Sequence, residues 1–265
     1  MILITTATQV EARPIIDFFR MKRIHKAPFS IYEGNQLFLI ITTIGKLACI
    51  SAVSYFFGKF GHNKVTGAIN IGISGHKSKP IGDALLVHKI YDDDTTKTTY
   101  PSMAIRWKGN TDELTTFSKP HLDYSKNTLM DMEGAGFFYA CLNFLNIDVI
   151  HSLKIISDNQ DRPANFIDKD TVISLIKNHI PTLQKLIDSI FKINSALPEE
   201  NQIEIDYITE KIHFTETEKV KLKELLERAV LLEVKYKKDK LIELNSAKKI
   251  INNLKVLIEN GYNLH

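Results

Sequence analysis

Two acidic residues in this sequence are placed where a carboxylate could act on a ligand. The first, Glu133, lies inside the apolar run Leu129–Cys141 and is followed by Gly134 and Gly136. A charge is costly to bury without a partner, and glycines remove side-chain bulk where the backbone must approach another group. The segment suits a carboxylate held close to a ligand. The alternative is an acid at the start of a helix, favoured by the helix dipole.

The second acid, Asp158, directly follows Ser157 at the end of a β-type run that begins at Val149. In open α/β sheets, ligands sit outside the carboxyl ends of the strands, so Asp158 is placed where an acid would act. The alternative is an N-cap for the segment that follows. Together the two stretches predict one unit in the order acid, helix, strand, acid.

A sheet must position these acids, and the hydrophobic periodicity predicts one. Predicted strands alternate with helical segments, which is typical of an α/β fold. Apolar β-type runs occur at Met1–Thr6, Ile31–Glu33, Leu37–Thr43, Thr66–Ile71, Ala84–Ile90 and Leu114–Phe117. Helical spacing occurs at Thr8–Arg20, Ile44–Phe60 and Asn165–Lys192.

A third acid, Glu11, lies at the junction of the first predicted strand and its helix. Taken alone, it is best interpreted as a first-turn acid favoured by the helix dipole. Glycines in Asn70–Gly75 end another predicted strand and would let the backbone approach a ligand. Gly72–Gly75 lacks the spacing of a nucleophile elbow, and Gly75–Ser78 lacks that of a P-loop.

Composition limits the classes of protein that fit. The chain has 265 residues, 44% of them hydrophobic and 25% charged, with a formal net charge of +3. The size suits one domain, or one domain with a smaller second one, and the small charge argues against nucleic acid or a membrane as partner. Cys49 and Cys141 lie in apolar surroundings, which predicts free buried thiols and a cytoplasmic location. The polar segment Asp92–Asn110 has no histidine or cysteine at ligand spacing, so we expect no metal site, and no cofactor is predicted.

The last quarter of the chain differs in character. Ser195–Asn201 is a predicted linker, and the sequence beyond it is rich in Lys, Glu and Leu. Thr215 and Glu218 have the spacing of a capping box, and a second helix is predicted from Ser246 to Gly261. We therefore predict two domains. An α/β domain with a mixed sheet flanked by helices spans 1–194, and a C-terminal helical hairpin spans 202–265, packing on the main domain or on a second subunit.

The order of these motifs resembles the purine nucleoside phosphorylase / uridine phosphorylase superfamily. The branch it resembles most is the methylthioadenosine/S-adenosylhomocysteine nucleosidases, and the resemblance runs from about Met1 to Lys192. It rests on the strand leading to Glu11, Ile44-Gly45-Lys46, Asn70–Gly75, Ile81-Gly82-Asp83, Asp131-Met132-Glu133-Gly134-Ala135 and Ile156-Ser157-Asp158.

The resemblance implies hydrolysis of the N-glycosidic bond of a purine nucleoside, which gives free base and sugar. Asp158 would be the general acid that protonates N7 of the purine ring, and Glu11 would orient and activate the attacking water. A purine anion is a poor leaving group, so protonation of the base helps to break the bond. The sugar becomes oxocarbenium-like, and nearby carboxylates stabilise that charge.

The resemblance also implies a set of substrate-binding residues. Glu133 would accept hydrogen bonds from the ribose hydroxyls, and Met132 would pack against the sugar. Ser157 and Gly75 would shape the floor of the site. Phe117 is the nearest candidate for the phenylalanine that stacks on the base.

Water is favoured over phosphate as the nucleophile. Phosphorylases of the superfamily hold phosphate with arginines and a Ser or Thr, and the corresponding positions here are Glu11, Asn70 and Ile73. None of them donates a charge-assisted hydrogen bond, and Glu11 would repel phosphate. Arg13 and Lys46 lie nearby in sequence, which keeps a phosphate-dependent phosphorylase as the second hypothesis.

Departures from the family pattern motivate further hypotheses. The segment between Tyr91 and the glutamate motif is shorter than in most relatives, and Lys154 stands where many of them have arginine. One hypothesis is a non-catalytic nucleoside-binding or interaction protein that uses the helical hairpin to bind its partner. Another is an enzyme for a nucleoside with an unusual base. Members of the family are commonly oligomers, so we expect a homo-oligomer, most simply a dimer.

Overall fold

Ten strands form one mixed sheet in the part of the chain that the structure describes. The structure is a computed structural model that describes residues 1–61, 64–105, 107–164, 167–196, 200–231 and 234–262. The strands are β1 (Ile2–Thr6), β2 (Lys22–His25), β3 (Ile31–Gly34), β4 (Leu37–Ile41), β5 (Gly67–Gly75), β6 (Ala84–Asp92), β7 (Thr98–Thr99), β8 (Thr111–Thr116), β9 (Leu129–Asp131) and β10 (Ile150–Asp158).

The sheet combines a parallel centre with antiparallel extensions. β1 pairs in parallel with both β4 and β5, and β5 pairs in parallel with β10. On one side, β4, β3 and β2 continue as antiparallel neighbours. On the other side, β10 pairs with β6, which leads through β8 and β9 back to β5, so these five strands close into a ring. The residues of β1, β4 and β10 are all buried, as expected for strands covered on both faces.

In the part of the chain that the structure describes, five α-helices lie between the strands or directly after them: α1 (Gln9–Phe18), α2 (Lys46–Phe60), α3 (Gly134–Cys141), α4 (Lys169–Asn178) and α5 (Ile180–Ala196). The single helix predicted over Asn165–Lys192 is wrong in the described residues, because α4 ends at Asn178 and α5 begins at Ile180, with His179 between them. Pro181 explains the break. Proline lacks the N–H that would donate to the carbonyl of Lys177, four residues earlier, and its ring clashes with that carbonyl.

The chain divides into two compact units, Met1–Phe191 and Lys192–His265. The second unit holds four helices in its described residues rather than the predicted two-helix hairpin: α6 (Glu200–Lys211), α7 (Glu216–Leu231), α8 (Lys238–Glu243) and α9 (Ala247–Tyr262). The additional helix α6 buries Ile205 and Ile208 in a core that this unit forms by itself.

Two sequence predictions about this part of the chain can be compared with the structure. The capping box at the start of α7 is confirmed, since Thr215 and Glu218 exchange backbone–side-chain hydrogen bonds. The predicted linker Ser195–Asn201 lies partly outside the described residues, and α5 and α6 extend into its two ends.

No helix among the described residues has the length and apolar character needed to cross a bilayer.

Close packing of α2 against α3 explains one of the glycines that the sequence singled out. A Cβ on Gly136 would lie 2.5 Å from the backbone oxygen of Lys46 in α2. Gly136 therefore serves helix packing, not the approach of a ligand. Cys49 of α2 and Cys141 of α3 are buried free thiols in the same core, as predicted.

We expect Gly136→Ala to destabilise the protein by about 1–3 kcal/mol, because the added methyl group forces α2 and α3 apart. Gly58→Ala is the matched control, since a Cβ there meets nothing within 4 Å on the exposed side of α2. It should stabilise the protein by roughly 0.5–1 kcal/mol, as alanine does within helices. Urea unfolding measures both free energies, and equal effects of the two substitutions would contradict the packing argument.

Candidate active site

A cavity of about 390 Å³ opens at the carboxyl ends of β1, β5, β8, β9 and β10. Each of these strands ends in a residue or short segment that contributes to the cavity wall. All seven predicted site residues line it: Glu11, Gly75, Phe117, Met132, Glu133, Ser157 and Asp158. The fold therefore brings together the residues that the sequence proposed from separate motifs.

Glu11 is fixed by backbone and side-chain donors from two elements. Its Oε2 accepts the N–H and the hydroxyl of Thr8 at 2.9 Å each, and Thr8 Oγ1 accepts the N–H of Glu11 at 3.3 Å. Its Oε1 accepts the N–H of Ile73 in β5 at 3.1 Å. The two interpretations of Glu11 coincide, because one carboxylate caps α1 and also forms part of the cavity wall.

Glu133 precedes α3 but does not cap it with its side chain. Instead, Oε1 accepts the N–H of Gly45 at 2.7 Å, at the start of α2. Burial raises the pKa of Glu133 to about 7, and the charges of Asp131 and Glu11 add to this effect. The charge of Lys154 and the N–H of Gly45 act in the opposite direction. Glu133 does lie at the start of α3, as the alternative interpretation has it, but its side chain is buried and makes no cap hydrogen bond there.

A buried ion pair between Lys154 and Asp131 acts electrostatically on Glu133. Lys154 Nζ lies 2.7 Å from Asp131 Oδ2, and both side chains are almost fully buried. Asp131 also accepts the hydroxyl of Thr116 at 2.7 Å and the N–H of Gly134 at 2.8 Å. Burial alone would lower the pKa of Lys154, but the charges of Asp131, Glu133 and Glu11 raise it, so the amine stays protonated.

Asp158 is held by side-chain hydroxyl groups, one on each carboxylate oxygen. The hydroxyl of Ser157 donates to Oδ1, and the hydroxyl of Tyr124 donates to Oδ2 at 2.6 Å. The residue is 7% exposed and lines the cavity. Its side chain does not act as an N-cap, which was the alternative interpretation from sequence; its neighbours are hydroxyl donors.

Three glycines leave the space that three acids occupy. An added Cβ would lie 2.8 Å from Glu11 Oε1 at Gly72, 2.8 Å from Asp158 Oδ2 at Gly75, and 2.9 Å from Asp131 Oδ2 at Gly134. A side chain at Gly72 or Gly75 would displace the carboxylate beside it, and one at Gly134 would meet Leu114 Cδ2 at 2.4 Å before it met Asp131. All three lie in segments whose glycines the sequence singled out as points where the backbone approaches a ligand. Each of them lies beside one of the chain's own acids.

The loop between β8 and β9 forms another part of the wall. The rings of Phe117 and His121 stack with centroids 4.1 Å apart and an angle of 2° between their planes. Both residues line the cavity, so Phe117 lies where a base could contact it, with one ring face covered by His121. On another side, the lining is completed by Asp168, the N-cap of α4, and by Lys169 and Val172 within that helix.

Sequence reasoning missed three functional candidates. Lys154 lies inside the apolar run that precedes Asp158. A lysine in a strand that is covered on both faces is almost always paired with an acid, so the sequence indicated a buried ion pair at this position. The partner, Asp131, was quoted only as part of a motif. Tyr124 lies in an aperiodic polar loop, and nothing in its sequence context marks it. Among the described residues, no group of three or more His, Cys, Asp or Glu side chains is placed to hold a metal ion.

The sheet with its cavity at the strand ends is the nucleoside phosphorylase/nucleosidase fold, as the sequence motifs predicted. A futalosine hydrolase mutant from Helicobacter pylori matches with a TM-score of 0.60 and 17% identity, over 71% of this chain and 98% of that one. A Campylobacter jejuni 5′-methylthioadenosine/S-adenosyl homocysteine nucleosidase matches at 0.59 and 18%, over 70% and 97%.

A plant structure shares the same fold. The Arabidopsis thaliana 5′-methylthioadenosine nucleosidase in its apo form has a TM-score of 0.60 and 17% identity, over 71% of this chain and 95% of that one. No protein-family model matches the sequence, and no curated protein matches it. The similarity therefore establishes the fold.

We expect the stability of the protein to depend on pH through Glu133. Its carboxyl group ionises near its ordinary pKa of 4.5 when the chain is unfolded and near 7 when it is folded. The folded state disfavours the charged form, so this group costs on the order of 3 kcal/mol of stability as the pH rises from 4.5 to 7. Glu133→Gln has no such titration and should gain stability relative to the wild type over this range.

Urea unfolding at several pH values measures the difference between the two proteins. Glu33→Gln, at an exposed position of β3, is the matched control and should differ from the wild type by a constant amount. A difference between wild type and Glu133→Gln that stays constant over this pH range would contradict the assignment.

Proposed function

We propose that this protein hydrolyses the N-glycosidic bond of a purine nucleoside and releases the free base and the free sugar. The observation that carries the proposal is that Glu11, Glu133 and Asp158 line one cavity at the strand ends of a nucleosidase fold. Nucleosides of the methylthioadenosine or adenosylhomocysteine type are the first candidates. They follow from the motif resemblance and agree with the activities for which the structural neighbours are named.

In the proposed reaction, Asp158 donates a proton to N7 as the bond between C1′ and N9 breaks and its electron pair moves into the base. Glu11 takes a proton from the attacking water, whose oxygen forms the new bond to C1′. Glu133 accepts hydrogen bonds from the ribose hydroxyls, and Met132 packs on the sugar. Phe117 contacts the base, and Gly75 and Ser157 form the floor.

Water is the proposed nucleophile because the cations considered for phosphate have other partners. Lys46 Nζ lies 2.5 Å from Asp92 Oδ1, and its side chain does not line the cavity. The Arg13 side chain is 69% exposed, lies 3.9 Å from Asp17 and is also outside the lining. Glu11 presents negative charge in the wall, which opposes phosphate binding.

We also propose that the protein is a homo-oligomer, most simply a dimer, and that it acts in the cytoplasm on a small-molecule nucleoside. The proposal includes no nucleic-acid partner, no membrane partner and no cofactor. Ile44 lines the cavity although it is 60% exposed, and Leu47 in the first turn of α2 is 76% exposed. Apolar side chains exposed beside a cavity are suited to contact with a second subunit. Light scattering would give twice the 30.2 kDa chain mass for a dimer.

The proposed function is tested by base release from methylthioadenosine, adenosylhomocysteine, adenosine and inosine, with and without phosphate. We expect release from at least one of them that is independent of phosphate, with free sugar as the second product. Release that requires phosphate, with a sugar phosphate as product, would replace the hydrolase by the phosphorylase. Absence of release, combined with thermal stabilisation by a nucleoside, would favour a non-catalytic binding protein.

Substitution of the acids separates their roles. We expect Asp158→Asn and Glu11→Gln each to lower kcat by about 10²–10⁴, because each removes a group that transfers a proton. Asp161→Asn is the matched control, three residues from Asp158 and exposed, and should leave kcat unchanged. Steady-state kinetics of the four proteins decide the assignment, and wild-type turnover in either acid variant would refute it.

A further inference from the structure

The hydroxyl of Tyr124 lies between the proposed general acid and the backbone of a neighbouring segment. Oη donates to Asp158 Oδ2 at 2.6 Å and accepts the N–H of Ala164 at 3.0 Å. Tyr124 is 4% exposed and is not among the described residues that line the cavity. Its hydroxyl therefore acts on the cavity through Asp158.

We propose that Tyr124 is a positioning residue that fixes the Asp158 carboxylate in the orientation from which it transfers its proton. The inference rests on the proposed function and adds to it a residue that the motifs of the fold did not indicate. Tyr124 would act on the reaction through Asp158 and would make no contact with the substrate.

The direction of the hydrogen bond follows from the partners of Tyr124. Its oxygen accepts the N–H of Ala164, so its single proton is available only for the carboxylate of Asp158. Burial, together with the hydrogen bond to Asp158, raises the pKa of Tyr124 to about 12, so the hydroxyl stays protonated. Tyr124 is thus a fixed donor at neutral pH.

Two donors on different oxygens restrict rotation of the carboxylate. Ser157 donates to Oδ1 and Tyr124 to Oδ2, while the space beside Oδ2 exists only because residue 75 is glycine. The Tyr124 ring is held in a buried cluster with Phe117 and Met130. The donor is therefore in place before the substrate binds, and it stabilises the carboxylate that remains after the proton has left.

The test uses the full-length chain and the variant Tyr124→Phe, which keeps the ring and removes the hydroxyl. We expect kcat to fall by about 10–100-fold, the usual effect of losing a hydrogen bond to a charged group, with KM nearly unchanged. The alkaline limb of the kcat–pH profile should move to higher pH, because an acid that has lost a donor to its charged form releases its proton less readily. A merely structural tyrosine would not move this limb.

A matched control removes a hydroxyl of similar type outside the cavity. Tyr55 in α2 is half-buried, its Oη lies 2.7 Å from His25 Nε2, and neither residue lines the cavity. Tyr55→Phe should leave kcat and the pH profile as in the wild type. Wild-type kcat and an unmoved alkaline limb in Tyr124→Phe would overturn the inference.

A second measurement does not require turnover. The Tm is measured for Tyr124→Phe, Asp158→Ala and the double variant, because alanine removes the acceptor of the Tyr124 hydroxyl, and the double variant should lose less than the sum of the two single losses. Tyr55→Phe combined with Asp158→Ala should be additive. Additivity for the Tyr124 pair overturns the inference. If the wild type releases no base, the proposed function fails, and this cycle still decides whether Tyr124 holds Asp158.

Discussion

The cavity depends on one buried cation. Lys154 is 1% exposed and is influenced by the charges of Asp131, Glu133 and Glu11, of which Asp131 is in direct contact. Carboxylates out of water are costly unless they are paired or accept hydrogen bonds. The protonated amine of Lys154 offsets part of the free-energy cost of burying these three acids. Lys154 does not cancel the effect of burial on Glu133, and burial together with the charges of Asp131 and Glu11 raises the pKa of Glu133 to about 7.

The ion pair also orders the elements around it. Asp131 ends β9, Lys154 lies in β10, Thr116 ends β8, and Gly134 begins α3, and all are joined through the Asp131 carboxylate. Thr116 Oγ1 in turn accepts the N–H of Ala135, which fixes the first turn of α3. Glu133 lies two residues beyond Asp131, so its position follows from this junction. The charged groups therefore determine local geometry as well as electrostatics.

The sequence predicted the elements that follow a regular hydrophobic pattern and the polar residues that interrupt such a pattern. Strand–helix alternation indicated the sheet, and acids in apolar runs indicated Glu133 and Asp158. It did not predict the break between α4 and α5, because Pro181 was treated as part of a continuous amphipathic pattern, nor helix α6, whose apolar residues pack within a separate core. The role of Tyr124 could not be predicted from the sequence, because it depends on a loop conformation that brings Tyr124 to Asp158, 34 positions away in the chain.

The two proposed proton-transferring acids are held in different ways, and this separates the two sides of the cavity. Glu11 is fixed by Thr8 at the start of α1 and by the backbone of β5, in the space that Gly72 leaves. Asp158 is fixed by side chains, one of them from the loop that also supplies Phe117 and His121. A change in that loop would alter the ring face of Phe117 in the cavity wall and the placement of Asp158 together. Under the proposed function, base preference and proton transfer would therefore be coupled through this loop.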